Sequence, residues 1–504
     1  MQAKTRLAIT SCLILATLMQ ALDTTIANVA LPYMQGSVSA SQDEIAWVLT
    51  SYIVATAIMT PPTGYLATRF GIKRVLLVCI AGFTIASMLC GAAQSLPQIV
   101  VFRCLQGALG AAINPLTQTV LFNINPPERQ GRAMSTFGIA IMAAPLLGPV
   151  LGGWLTSDYS WRAVFYINVP LGALAFIGAL IFLPDPKVDS TFRLDWLGFG
   201  TLSLAIGALQ LLLDRGSEKD WFSSQEIIIE TVLAGVAFYL FLVHVFTTRT
   251  PFIRPALFTD RNFTAGTLLI TSVGVTSYAA LSLQPPFLQG LMNEPIVTAG
   301  LVMGPRGFGT IVSMLLAGRL IGRLDTRIIL FAGLTVSAWA FYAMTRWTPD
   351  VSNMTIMIVG VVQGIGQGLI SVPVSTVALS TLAPEHRAEG AGVYNLARNM
   401  GSSVGVSVVN SLLTYNVQVN HADLTKSITA FDRLLTSPHV AAFWSPATAG
   451  GRAALDSVIN QQAQVISYNN DYKFLMYATL ATLPLLLLIR KPEQPRTDST
   501  VFAE

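Results

Sequence analysis

Asp23 stands inside the first long apolar run of the chain, 7–31, in the stretch ATLMQALDTTIANVAL. A carboxylate near the middle of a membrane helix costs on the order of 3 kcal/mol even on lenient insertion scales, so an acid kept there is expected to carry protons or ions. The competing reading is a structural hub, a carboxyl satisfied by neighbouring Thr and Asn side chains. Three arginines also fall in apolar runs, Arg103, Arg306 and Arg398. A span arginine needs a carbonyl or carboxylate partner, and it can be a structural hub as well. The chemistry open to this set is proton exchange: an acid protonated in one state loses its proton in another, where a guanidinium stands close. One acid among three bases is a poor cage for dications. It suits lipophilic neutral molecules, weak acids or single cations.

Other chemistries lack their residues. Cys12, Cys79, Cys90 and Cys104 sit in apolar runs without a CxxC pair and read as small buried hydrophobes. The histidines, His244, His386, His421 and His439, show no HExxH or similar ligand spacing. No nucleophile with a base or metal cluster is apparent, so a membrane enzyme is not expected, nor any catalytic residue, metal or cofactor. A sensor or scaffold without transport would not need Asp23 and Arg103. The chain is 53% apolar and 11% charged, against about 25% charged for a soluble protein. Its basic residues are dispersed in short loops, which argues against a nucleic-acid partner.

These residues must be positioned by membrane helices. Apolar windows give about fourteen spans, near 7–31, 45–68, 75–94, 98–121, 133–156, 163–183, 196–213, 226–247, 263–285, 298–318, 328–345, 353–376, 390–413 and 473–489. The first lacks a cleavage site and is expected to be retained as a signal anchor. Lys4, Arg6, Arg69, Lys73, Arg74, Arg129, Arg132 and most later Lys and Arg fall on one side, whereas the short opposite loops hold only Arg162, Arg215, Lys219 and Arg346. Positive residues favour the cytoplasm, so both termini are expected there and the span count is even. The polar segment 415–471 falls on the external side. It reads as a solvated loop, or as one containing a polar helix over Leu455–Asn470.

The chain repeats itself. Gln106-Gly107 recurs as Gln363-Gly364, and Pro127-Glu128 as Pro384-Glu385, each 257 residues on. Gly64-x4-Arg69 recurs as Gly318-x4-Arg323, 254 residues on. Parallel six-helix halves related by an axis along the membrane normal are a transporter architecture. The offset exceeds six helices, and the surplus fits an inserted pair near 196–247. The expected fold is thus an all-α polytopic membrane protein of 6+2+6 helices: a first bundle over 1–190, the inserted pair over 191–250, a second bundle over 251–490 with the external loop 415–471, and a cytoplasmic tail over 491–504. The same offset carries Asp23 to the neighbourhood of Ser277, so the second half lacks its acid.

Three motifs lie along the first half. Gly64, Arg69, Gly71, Lys73 and Arg74 follow the second span, where glycines permit a tight loop and basic residues stay at the interface. In the fourth, Arg103 precedes Gln106, Gly107 and Gly110 on one helical face. In the fifth, Ala144, Gly148, Pro149, Gly152 and Gly153 form a small-residue stripe with a kink. Plain helix packing is the simplest role for most of these glycines, though helices that rock must pack closely in both states.

In that order the motifs resemble motifs A, B and C of the major facilitator superfamily, the third of which marks its antiporters. LDTTIANVALP around Asp23 resembles the first-helix motif of the fourteen-helix drug:proton antiporter branch. LDRGSEKDWFSSQEI (213–227) and YNLARNMGSSVG (394–405) resemble the EmrB/QacA-type multidrug exporters, the EmrB subfamily in particular. The resemblance covers nearly the whole chain. It implies a bacterial inner-membrane antiporter for lipophilic or amphipathic toxic compounds, driven by the proton gradient, with Asp23 and Arg103 in proton coupling and Arg398 in the matching region of the second half. It also implies a periplasmic adaptor and an outer-membrane channel, met by 415–471 and the loop 214–225. An exporter of one metabolite or siderophore, or a proton symporter, would use the same fold. Two residues depart from the pattern: Thr68 stands where motif A usually has an acid, which puts its charge latch in doubt, and Ala144 where motif C usually has Gly. With about 2.3 kcal/mol per charge per 100 mV, one proton at about 150 mV supports an outward gradient of some hundredfold.

Overall fold

The protein is described by a computed structural model that covers residues 3–184, 194–426, 444 and 448–490. The first group of helices is α1 (Ala3–Val38), α2 (Gln42–Met59), α3 (Thr63–Phe70), α4 (Ile72–Ala92), α5 (Leu96–Gly110), α6 (Ile113–Ile124), α7 (Pro127–Asp158), α8 (Ala163–Tyr166) and α9 (Asn168–Phe182). Two helices packed on each other follow, α10 (Trp196–Arg215) and α11 (Gln225–Thr247). The second group is α12 (Arg261–Pro286), α13 (Ile296–Leu320), α14 (Thr326–Met344), α15 (Asn353–Ser380), α16 (Arg387–Lys426) and α17 (Ala449–Leu480).

Local chemistry sets the boundaries. Ser41 and Glu44 form a reciprocal cap that starts α2. The carboxylates of Asp195 and Asp260 accept the N–H groups of Gly198 and Phe263, at 3.0 and 2.9 Å, and start α10 and α12. Pro61 and Pro62 remove backbone donors between α2 and α3, and the chain bends there by 57°. Gly71, at φ 85°, turns the chain from α3 into α4 in a conformation that disfavours a Cβ.

Among the described residues, twelve helical stretches are long and apolar enough to cross a membrane, and the bent pair Glu44–Met59 and Thr63–Phe70 adds a thirteenth if taken as one span. α16, at 40 residues, is not among them because polar side chains interrupt its apolar run. α10 is 44% buried and α11 only 17%, so α11 is the lipid-facing member of the pair and α10 the inward one.

The segment 415–471 is largely not a loop. α16 continues to Lys426 and α17 begins at Ala449, so the stretch Leu455–Asn470 is helical. A 40-residue helix is roughly 60 Å long, twice the hydrocarbon core, so α16 and α17 project from the membrane as a hairpin. Leu455, Ile459 and Ala463 are buried along one face of α17, and Tyr468, Tyr472 and Leu475 are buried along another face further on. Across the hairpin, Asn420 Nδ2 donates to Ser467 Oγ at 3.0 Å and His421 Nε2 lies 2.9 Å from Asp456 Oδ1. Residues 427–443 and 445–447 of that segment, and the tail 491–504, lie outside the described residues.

The two groups meet at the basic ends of their helices. Ser135 Oγ on α7 donates to Met314 O on α13 at 2.7 Å, and Arg387 Nη1 on α16 donates to Asn123 Oδ1 at 2.7 Å. The repeated glycines sit at this contact. A Cβ on Gly64 would lie 2.6 Å from Glu389 Cα on α16, and one on Gly318 would lie 2.7 Å from Ser135 Cβ on α7. Each group therefore presses its motif glycine onto a helix of the other, as a twofold repeat requires.

Candidate proton-coupling site and central cavity

Asp23 and Arg103 are each 0% exposed. α1 carries the acid at mid-helix and α5 brings the guanidinium, whose Nη1 donates to Asp23 Oδ2 at 2.6 Å. Asp23 Oδ1 accepts from Gln106 Nε2 at 2.8 Å and from Asn168 Nδ2 at 2.7 Å. Gln106 lies one turn after Arg103, so a single helix face supplies two of the three donors. Arg103 also donates from Nε to Val48 O at 3.1 Å and from Nη1 to Gln106 Oε1 at 2.8 Å. Its Nη2 has no hydrogen-bond partner among the described residues. Tyr52 closes the site, its ring 4.3 Å from the guanidinium carbon.

Asn168 and Tyr52 were not singled out from sequence. Asn168 is a polar residue near the start of the sixth span and gave a readable signal. Tyr52 gave none, because an aromatic residue in an apolar span looks like packing. The proposed hub of neighbouring Thr and Asn is not what holds Asp23: its partners come from α5 and α9, 80 to 145 positions away in sequence.

Beside this site lies a cavity of about 510 Å³ between the two groups. Gln20, Thr24 and Tyr52 line it, whereas Asp23 and Arg103 do not. The acid is thus one side chain away from the cavity and sealed from it. The cavity extends to Asp214, Ser217 and Asn410 at the less basic ends of α10 and α16, and it is shut at the basic ends by the contacts above.

The second-half arginines separate. Arg398 lines the cavity, and among the described residues its Nε has no hydrogen-bond partner. Arg306 stays off the cavity wall and donates from Nη2 to Ser277 O at 3.3 Å. Where the first half pairs an arginine with Asp23, the second pairs one with the backbone carbonyl of the corresponding position.

The glycine motifs sort by contact. A Cβ on Gly107 would run into Tyr52 O, and one on its repeat Gly364 into Arg306 O. A Cβ on Gly110 would lie 2.7 Å from Phe83 Cδ2. One on Gly148 would run into Thr25 Oγ1, one on Gly152 would lie 3.2 Å from Val29 Cβ and 3.3 Å from Ile26, and one on Gly153 would meet nothing within 4 Å. Pro149 is exposed on the outer side of α7. Only part of the third motif is therefore a packing seam, against α1 next to Asp23. In the first motif, Arg69 and Lys73 are half-buried and Arg74 is exposed. Thr68 Oγ1 donates back to Gly64 O at 3.0 Å and makes no charge latch. The contact at this place is Gly64 on Glu389, whose carboxylate accepts Arg254 N–H at 2.8 Å. Burial pushes the Glu389 carboxyl up, against the lowering effect of Arg254.

The sequence profile described as Major Facilitator Superfamily matches residues 13–414. The chain is 35% identical over 425 residues to the multidrug export protein EmrB of Escherichia coli (strain K12), covering 84% of this chain and 83% of that one. It is 34% identical over 493 residues to the fatty acid resistance protein FarB of Neisseria gonorrhoeae, covering 96% of each. Among solved structures, the human organic anion transporter MFSD10 (TETRAN) superposes with a TM-score of 0.59 at 13% identity, over 94% of this chain and 99% of that one, a likeness of fold alone.

Proposed function

The chain belongs to the major facilitator superfamily, and from that premise we propose that it is a proton-coupled antiporter exporting lipophilic or amphipathic toxic compounds across the bacterial inner membrane. The similarity to EmrB and FarB, whose names record multidrug export and fatty acid resistance, supports export as the direction. Taking the bent α2–α3 pair and α16 each as one span gives fourteen crossings, six plus two plus six, with both termini cytoplasmic. One observation carries the coupling: a fully buried carboxylate, saturated by three donors, stands one tyrosine away from a cavity large enough for an organic substrate.

The cycle follows from that geometry. In the outward-facing arrangement, with basic ends cytoplasmic, Arg103 and two amide N–H groups hold the Asp23 carboxyl. Protonation removes the charge that holds Arg103 and loosens the contact of α1 with α5. Tyr52, stacked on the guanidinium and lining the cavity, passes the change to the substrate space. Proton and substrate thus compete through Tyr52 without sharing atoms. Release of the proton to the cytoplasm resets the pair.

The test is dye or drug transport into inverted vesicles under an imposed pH gradient. Asp23→Asn is expected to abolish gradient-driven transport in inserted protein, since an amide cannot exchange a proton. Wild-type transport rates in that variant would make the carboxyl structural.

A further inference from the structure

The inserted helix α10 touches both halves. Gln210 Oε1 accepts the Ser403 hydroxyl of α16 at 3.0 Å. Asp214, one turn further on the same face, accepts the Thr50 hydroxyl of α2 through Oδ2. Both residues, with Leu213 and Ser217, line the central cavity. α10 is therefore a wall of the substrate space, with α11 between it and lipid.

Asp214 is exposed to that space and differs from Asp23 in one respect. Asp23 is saturated by an arginine and two amides, whereas among the described residues no Lys, Arg or His pairs with Asp214. The adjacent Arg215 is turned away: it bonds Glu226, and its guanidinium lies 5.0 Å from the Trp47 ring centroid. The other charge on the cavity wall is Arg398. A carboxylate without a counter-charge, at the wall of a low-dielectric cleft, focuses negative potential into it. The adjoining wall is apolar, with Ile53 and Ala57 of α2 and Leu281 of α12.

We infer that Asp214 is the cation-binding pole of the cavity, so that lipophilic monovalent cations bind with their charge against α10 and their apolar body along α2 and α12. The inference rests on the export reading and names one substrate class for it. It revises the expectation from sequence, which placed Asp214 in an external loop facing an adaptor.

The experiment measures binding of tetraphenylphosphonium and of the neutral dye N-phenyl-1-naphthylamine to the purified full chain. In parallel, pH-driven uptake of the neutral dye is followed in inverted vesicles. Asp214→Asn is expected to lower the ratio of cation to neutral affinity about tenfold, and Asp214→Glu, which keeps the charge, to hold it within about threefold. An unchanged ratio in Asp214→Asn overturns the inference, as does equal loss in both variants. A wild-type protein that binds no tetraphenylphosphonium yet takes up the neutral dye overturns it while leaving the export reading intact. Failure of all pH-driven uptake overturns both.

Discussion

At the scale of single residues, the sealed Asp23–Arg103 pair has consequences for stability as well as coupling. Removing one partner of a buried ion pair costs about 3–5 kcal/mol, because the other charge stays buried and unpaired. Arg103→Gln leaves the carboxylate with only the Gln106 and Asn168 amides, and Asp23→Asn turns an acceptor into a donor facing donors. Each single variant is expected to lower thermal stability in detergent, and the double variant Asp23→Asn/Arg103→Gln to recover part of that loss. Gradient-driven transport is expected to stay absent in the double variant. Recovery of transport together with stability would assign the pair a purely structural role. Asp471 shows a different situation: it is 1% exposed on α17, the Asn416 side chain beside it is neutral, and among the described residues no Lys, Arg or His pairs with it. Asp471→Asn is expected to raise the melting temperature, since a neutral amide costs less to bury than a charge without a counter-charge.

At the scale of elements, the small-residue stripe of α7 divides by what it touches. Gly148 abuts Thr25, two residues from Asp23, whereas Gly153 is open. Gly148→Leu is expected to overpack the α1–α7 seam, at about 1–3 kcal/mol, and to stop transport. Gly153→Ala is expected to keep both stability and transport near wild type. Normal transport by Gly148→Leu at normal expression would show that the seam does not switch. The stripe was legible in sequence; which of its glycines meets a helix was not, because that depends on the rotation of α7 against α1.

For the whole molecule, the packed pair α16 and α17 is, among the described residues, the long projection on the side opposite the basic ends. We propose that it meets a periplasmic adaptor that hands substrate to an outer-membrane channel. Thr448 caps α17 by accepting Gly451 N–H at 3.0 Å, and Gly451 is buried. A deletion over 438–451 would therefore cut into the helix, and one over 438–447 spares it. The shorter deletion is expected to keep transport by the isolated pump while lowering drug resistance in cells that contain the adaptor. Equal resistance, with the adaptor still co-purifying, would reduce the tip to a connection.

The sequence by itself determined the class of the molecule and singled out Asp23 and Arg103, which the fold brings into contact. Long apolar runs force helices in a solvent that cannot satisfy free backbone groups, and the repeat at one offset requires related halves. An acid in such a run marks function through the cost of placing it there. Tertiary structure alone decided the partners. Asn168 and Tyr52 reach Asp23 and Arg103 through helix packing that no local spacing encodes. Asp214 looked like a loop residue because a helix end cannot show, in one dimension, that it abuts a cavity. The polar run 415–471 hid a helical hairpin, since a helix that leaves the membrane loses its hydropathy signal while keeping its buried stripe. Hydropathy reports the solvent that each segment meets; contacts between segments arise only when the faces of helices are rotated against one another.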